Sequence, residues 1–155
     1  MEERAIAARL LGLDVGTKTI GMAVSDPLLI TAQGLPTWRR KNKRVDLQEL
    51  ERVLREFTVS EIVVGYPLHM SGGPTAGSQR VELFAEQLRH RFGLPVHLWD
   101  ERLTTAEAQR VLRDAEASIR RRAEVVDRMA AVLILQSFME NRKGARDRQN
   151  LLGAF

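Results

Sequence analysis

Two apolar runs, Leu10–Val15 and Ile20–Ser25, flank the polar turn Gly16-Thr17-Lys18-Thr19. Both runs read as strands, and so short a link closes them into an antiparallel hairpin. Asp26-Pro27 ends the second strand, and a third is expected between Ile30 and Arg39, carrying Leu35 and Trp38. The period then changes. Asp46 opens a helix, with Glu49 as the second half of a capping box, and Leu47, Leu50, Leu54 and Phe57 recur at helical spacing. Glu61-Ile-Val-Val-Gly65 is a short β-branched run, hence a buried strand. A second helical stripe, Val81, Phe84, Ala85, Leu88 and Phe92, stops at Gly93 and Pro95. Pro95–Trp99 is a further strand. Thr104 and Glu107 cap a helix that turns Ala108, Val111, Leu112 and Ala115 inward. The last helix is expected from about Ala123 to Asn141, apolar nearly all round from Met129 to Leu135 and so well buried.

A hairpin-led meander followed by strand–helix–strand units predicts an α/β protein with a five-stranded mixed sheet and helices on both faces. The parallel strands put their carboxyl ends on one side, where such folds usually place their sites. The 155 residues fit one domain, with residues 1–9 as an N-terminal extension and residues 142–155 as a frayed, flexible tail. Tyr66 to Ser78 holds Pro67, Gly72, Gly73, Pro74 and Gly77 and reads as a long, mobile loop.

Composition narrows the classes. No run of about 18 apolar residues exists, so no membrane span is expected. The charged start, Met1-Glu-Glu-Arg, lacks the apolar centre of an export signal. The chain has no cysteine, which removes disulfides and thiolate chemistry and suits a cytoplasmic location. Net charge is +4, and its placement says more than its size. Trp38-Arg-Arg-Lys-Asn-Lys-Arg44, Arg120–Arg122 and Arg142–Arg148 are three basic clusters. One alone reads as a solvated face; three beside an acidic site favour a phosphate-bearing partner.

That acidic site begins at Asp14, a single carboxylate interrupting the run of Leu10, Leu11, Leu13 and Val15 with no base beside it in the run. An ionised carboxylate in a buried strand is costly unless something positive neutralises it, and a divalent cation does so in a phosphodiester-cleaving enzyme. Two further acids lie next to apolar structure: Glu101, or its neighbour Asp100, at the end of the last strand, and Asp127 early in the final helix. Strand ends and helix starts can converge at one sheet edge, and a few carboxylates plus phosphate oxygens are the usual ligands of Mg²⁺. Lys18 on the turn is a candidate phosphate contact, as is His69 on the glycine-rich loop. Arg102 either orients Glu101 or clamps a phosphate. His97 and Trp38 read as packed strand residues.

Several segments together resemble one family. Leu11-Gly-Leu-Asp-Val-Gly-Thr-Lys18, Ile20-Gly-Met-Ala-Val-Ser-Asp26, Val64-Gly-Tyr-Pro-Leu68, Asp100-Glu-Arg-Leu-Thr-Thr105 and Val126-Asp-Arg-Met-Ala-Ala-Val-Leu-Ile-Leu-Gln136 resemble the YqgF/RuvX family, in order and with the right gaps from about Leu10 to Glu140. Its members are bacterial proteins similar to Holliday junction resolvases and described as pre-16S rRNA nucleases. The resemblance implies an RNase H-like fold and an acidic site dependent on Mg²⁺ or Mn²⁺, with Asp14, Glu101 and Asp127 as its carboxylates. The implied partner is nucleic acid, either precursor rRNA or branched DNA, handled by a monomer or homodimer. The chain departs from the family at Thr19, where a basic residue is frequent, and in Pro67-Leu-His-Met-Ser-Gly72, where His69 and Ser71 replace Asn and Asp. A second class of function, binding of nucleic acid or a protein partner in transcription or ribosome assembly without cleavage, is opposed by the intact acidic set. Asp-x-Gly-Thr also opens the phosphate site of two-domain ATPases, but only one such motif is present.

Overall fold

In the computed structural model the hairpin is β1 (Arg9–Val15) and β2 (Thr19–Ser25), paired antiparallel with Leu13 opposite Met22 and Asp14 opposite Gly21. The structure describes residues 8–69, 71–103 and 123–153, with side chains in the last stretch from residue 128 onward. β3 (Ala32–Arg39) adds antiparallel to β2. β4 (Val59–Tyr66) and β5 (Val96–Asp100) add in parallel on the other side, giving the sheet order β3-β2-β1-β4-β5. Helices α1 (Lys43–Glu56) and α2 (Ala76–Phe92) connect the later strands, a 3-10 turn (Glu101–Leu103) follows β5, and α3 (Ala123–Gly153) closes the chain. This is the expected five-stranded mixed sheet.

Strand alternation sorts the core into two layers. Leu11, Leu13, Ile62 and Val64 point to one face and pack with Leu47, Leu50, Phe84 and Leu88 of α1 and α2. Leu10, Ala23, Val63 and Trp99 point to the other and meet Ala131, Ile134, Leu135 and Met139 of α3. Small residues let α3 lie close to the sheet. Gly34, Ala23 and Gly12 stand in register across β3, β2 and β1. A Cβ on Gly12 would sit 2.8 Å from the Leu135 Cβ and 3.1 Å from the Ala131 carbonyl.

Four expectations are corrected. α1 starts at Lys43, capped by Asn42 accepting from the Val45 amide at 3.0 Å, rather than at Asp46. Asp46 is buried in the first turn, where its carboxylate faces back to β3 instead of capping. α2 starts at Ala76, because Thr75 and Ser78 form a capping box, so the loop is 67–75 and not the whole of Tyr66–Ser78. α3 continues as helix to Gly153 where a frayed tail was expected. Its last three turns are rich in strong helix formers without proline, and Arg142 is tied to Glu61 at 3.1 Å. Met129–Leu135 is not buried all round: Ala131, Ile134 and Leu135 are buried, while Met129, Val132 and Leu133 are half-buried. The helix expected behind Thr104 and the cluster Arg120–Arg122 lie outside the described residues. Gly93 ends α2 at φ 65°, as its sequence position predicts.

Candidate active site

Asp14 is the next-to-last residue of β1 and half-buried. It shares a strand face with Leu10 and Gly12, the face covered by α3. Its neighbours across the sheet are small. Gly21 stands opposite on β2, and continuing the Leu13–Val64 register by one residue brings Gly65 alongside on β4. Absent side chains on both flanks leave room around the carboxylate.

Glu101 occupies part of that room. β5 pairs Trp99 with Gly65 and Asp100 with Tyr66, so Glu101 leaves the sheet at the carboxyl edge beside the end of β4, the strand that separates it from β1. A Cβ on Gly65 would meet the Glu101 Oε1 at 2.7 Å and the Ile134 Cδ1 at 2.5 Å. The carboxylate thus lies on the Gly65 backbone, under α3, on the Asp14 face. Burial first, and Asp100 next to it second, push the Glu101 carboxyl above its usual range. A hard cation bound through oxygen would relieve that cost, so this donor set fits Mg²⁺ or Mn²⁺.

Asp100 is engaged by Arg102. Its carboxylate takes the Arg102 side chain in a paired contact, Nη2 to Oδ2 at 2.5 Å and Nε to Oδ1 at 3.0 Å, and accepts from the Arg102 amide. Arg102 holds the Asp100 carboxyl below its usual value. The same guanidinium lies against the loop, 3.4 Å from where a Cβ on Gly72 would stand. Gly72 sits at φ 92°, which strains any other residue type. The loop is held by its own bonds: the His69 amide donates to the Gly73 carbonyl, the Gly72 amide to the His69 carbonyl, and the Thr75 hydroxyl to the Pro67 carbonyl. His69 and Lys18 are exposed, on the loop and on the β1–β2 turn.

Asp127 belongs to α3, one turn before Ala131. Ala131 and Leu135 overlie Gly12, and later turns of α3 run back toward Glu61 at the start of β4. The helix therefore approaches the Asp14 end of β1 as it is followed toward Asp127. The Asp127 side chain lies outside the described residues. Among the described residues, no three acidic or histidine side chains form a ready metal cage. The structure brings Asp14 and Glu101 to one edge and leads the Asp127 backbone toward it.

What the sequence reading missed was the space. Gly21 and Gly65, which clear the ground around Asp14, are ordinary glycines until the strand register is known. His97 is not simply packed: its Nε2 contacts the Glu61 Oε1 at 2.9 Å and its ring lies 5.1 Å from that of Phe138. Trp38 is the packed strand residue expected, and its indole N–H donates to Asp46.

A hairpin leading into parallel strands, with acids at their carboxyl edge beneath a helix, defines the RNase H-like class of folds. Solved structures agree on the fold. The yeast mitochondrial Holliday junction resolvase Ydc2 aligns over 96% of this chain and 85% of its own, with TM-score 0.57 and 14% identity. RuvC of T. thermophilus, in complex with Holliday junction substrate, aligns over 88% and 96%, with TM-score 0.55 and 19% identity. Within that class the chain belongs to the RuvX family, described as Holliday junction resolvase, whose profile matches residues 8–141. A relative from Koribacter versatilis named "Putative pre-16S rRNA nuclease" is 55% identical over 141 residues, covering 91% of this chain and 92% of that protein. One of the same name from Moorella thermoacetica is 52% identical over 132 residues, covering 85% and 94%.

Proposed function

We propose that this chain is a divalent-metal-dependent endonuclease of the cytoplasm that hydrolyses phosphodiester bonds in RNA, acting at the 5′ end of precursor 16S rRNA. The observation that carries this reading is the Glu101 carboxylate seated on Gly65 at the edge where β1 delivers Asp14. The relatives' shared name supplies the substrate. Asp14, Glu101 and Asp127 would hold Mg²⁺ or Mn²⁺. When bound, the ion supplies an acidified water and charge stabilisation at the leaving oxygen of an in-line displacement.

The rest is work for the chain's own side chains. Lys18, on the β1–β2 turn just beyond the end of β1, contributes positive charge to a phosphate next to the scissile one. Arg102 is fixed by Asp100 and faces the loop, so its guanidinium is aimed rather than floppy, and it clamps a phosphate between strand end and loop. His69 lies exposed on that loop and reaches the same strand of substrate.

Resolution of branched DNA is the second reading, favoured by the family description and by the fold shared with junction resolvases. Cleavage of precursor rRNA and of a four-way DNA junction, each with Mg²⁺ and Mn²⁺, separates the two. Asp14→Asn keeps the size and shape of the side chain and is expected to fold while losing cleavage by at least about 100-fold. Parental cleavage by Asp14→Asn, or cleavage by the parent that persists in EDTA, would overturn the proposal.

A further inference from the structure

A cleft of about 530 Å³ opens beside the β1–β2 turn, between it and the starts of α1 and α2. Lys18, Arg39, Arg40, Lys41, Lys43 and Arg80 line it, drawn from the turn, the end of β3, the link to α1, the first turn of α1 and the start of α2. Among the described residues Asp46 is the one acid in its lining, and its carboxylate is already engaged. Oδ1 accepts from the Trp38 indole at 2.9 Å and from the Lys41 amide at 2.8 Å, and Oδ2 accepts from the Arg40 Nε at 3.2 Å. Arg40 Nη1 in turn donates to the Gly16 carbonyl at 2.9 Å, and the Arg40 amide donates to the Lys18 carbonyl. Asp46 thus offsets one of six cations while Arg40 fastens the cleft to the turn that follows Asp14.

Two features of this cluster run against the chain's own stability. Lys43 and Arg44 stand in the first turn of α1, where the helix dipole disfavours positive charge. Lys18, Lys41, Lys43 and Arg80 are exposed around one opening, where like charges repel. Both costs turn to gain when polyanion fills the cleft. The Lys41 Nζ also lies 5.3 Å over the Trp38 ring, which holds that ammonium at the rim.

We infer that this cleft is a second contact site, which grips the sugar–phosphate backbone of the nucleic-acid strand as it leaves the acidic edge past the β1–β2 turn. It rests on the nuclease reading only for the kind of ligand. Contacts made by flexible ammonium and guanidinium groups at an open cleft recognise phosphates and not bases. The cleft therefore raises affinity for any strand and anchors it in line with the site, leaving sequence choice to other elements.

The test is equilibrium binding in EDTA by the Asp14→Asn chain, so that no cleavage intervenes, with a labelled single-stranded RNA and a four-way DNA junction as separate arms between about 50 and 300 mM KCl. Lys41→Glu/Lys43→Glu is compared with Lys41→Gln/Lys43→Gln, and with the charge-matched Arg55→Glu/Arg91→Glu at the far ends of α1 and α2. Far-ultraviolet dichroism checks that each variant is folded. Expected is a fall in affinity of about tenfold or more for the cleft variants and little for the control. The salt slope should also fall by about 0.7 for each phosphate no longer neutralised on single strands and about 0.9 on duplex arms. Equal weakening in the cleft and control variants, or an unchanged salt slope, would overturn the inference. Parental cleavage with Mn²⁺, assayed separately, reports on the nuclease reading alone.

Discussion

Replacing Gly65 by alanine adds one methyl group at the most crowded point of the candidate site. The new Cβ would lie 2.7 Å from the Glu101 Oε1 and 2.5 Å from the Ile134 Cδ1. Non-bonded heavy atoms rest at about 3.5–4.0 Å, so both neighbours must retreat by roughly 1 Å. Ile134 is packed in the α3 layer and nearly fully buried, which makes Glu101, the half-buried first residue of a short turn, the partner that gives way. Overpacking of this kind costs about 1–3 kcal/mol, or roughly 3–10 °C in melting temperature for a chain of this size. A catalytic group displaced by about 1 Å costs on the order of 100-fold in rate. Val53→Ala is the matched control. It opens a small cavity in the core on the other face of the sheet, costs about 1–3 kcal/mol, and leaves the Glu101 surroundings alone. Melting temperature and Mn²⁺-dependent cleavage are measured for both, at a temperature where each is folded. Gly65→Ala should lose cleavage and Val53→Ala should keep it. If Gly65→Ala cut at the parental rate while losing stability, the position of Glu101 over Gly65 would be irrelevant to the reaction and the site assignment would fail.

Two further outcomes follow from the packing. Burial raises the Asp46 carboxyl, but the Lys41 amide, Trp38 indole and Arg40 guanidinium more than compensate and hold it below its ordinary value. Its contribution is therefore complete above about pH 5 and fades as the pH falls through the depressed value. Asp46→Ala should cost about 2–3 kcal/mol at pH 7 by urea denaturation, less than a fully buried pair because Arg40 is partly solvated, with the gap to the parent closing below about pH 4. A gap that widens on acidification would contradict this sign. Gly93→Ala meets no atom within 4 Å but must hold φ 65°, so its cost is backbone strain alone, about 1 kcal/mol, read as a fall of a few degrees in melting temperature. No change there would mean that α2 can end without the left-handed residue.

Much of the fold was legible because its elements follow local rules. The hairpin, the β4 run, the stripe Val81–Phe92 and the Gly93 stop each announce themselves by period and punctuation. The errors fell where a tertiary contact overrode a local preference. Asp46 resembles a cap, but Trp38 near the end of β3 and Arg40 just beyond it capture its carboxylate and Asn42 caps the helix instead. The tail after Asn141 looks too polar to be ordered, yet Arg142 finds Glu61 across the sheet and the helix continues. Of the candidate site, the acids were legible as carboxylates set among apolar residues. Their meeting place was not, because it depends on register: Gly21 and Gly65 become neighbours of Asp14 only once β1 is paired on both sides. The basic run Trp38–Arg44 was visible in the sequence, but Arg80 joins it only through the placement of α2.

Whether three distant acids serve one cation site is tested most directly by calorimetric titration of Mn²⁺ into the metal-free parent and into Asp14→Asn, Glu101→Gln and Asp127→Asn, each confirmed folded by its dichroism spectrum. Expected is saturable binding by the parent and a weakening of about tenfold or more in every one of the three variants. Parental Mn²⁺ affinity in any of them would remove that residue from the site, and parental affinity in all three would contradict the shared acidic site altogether.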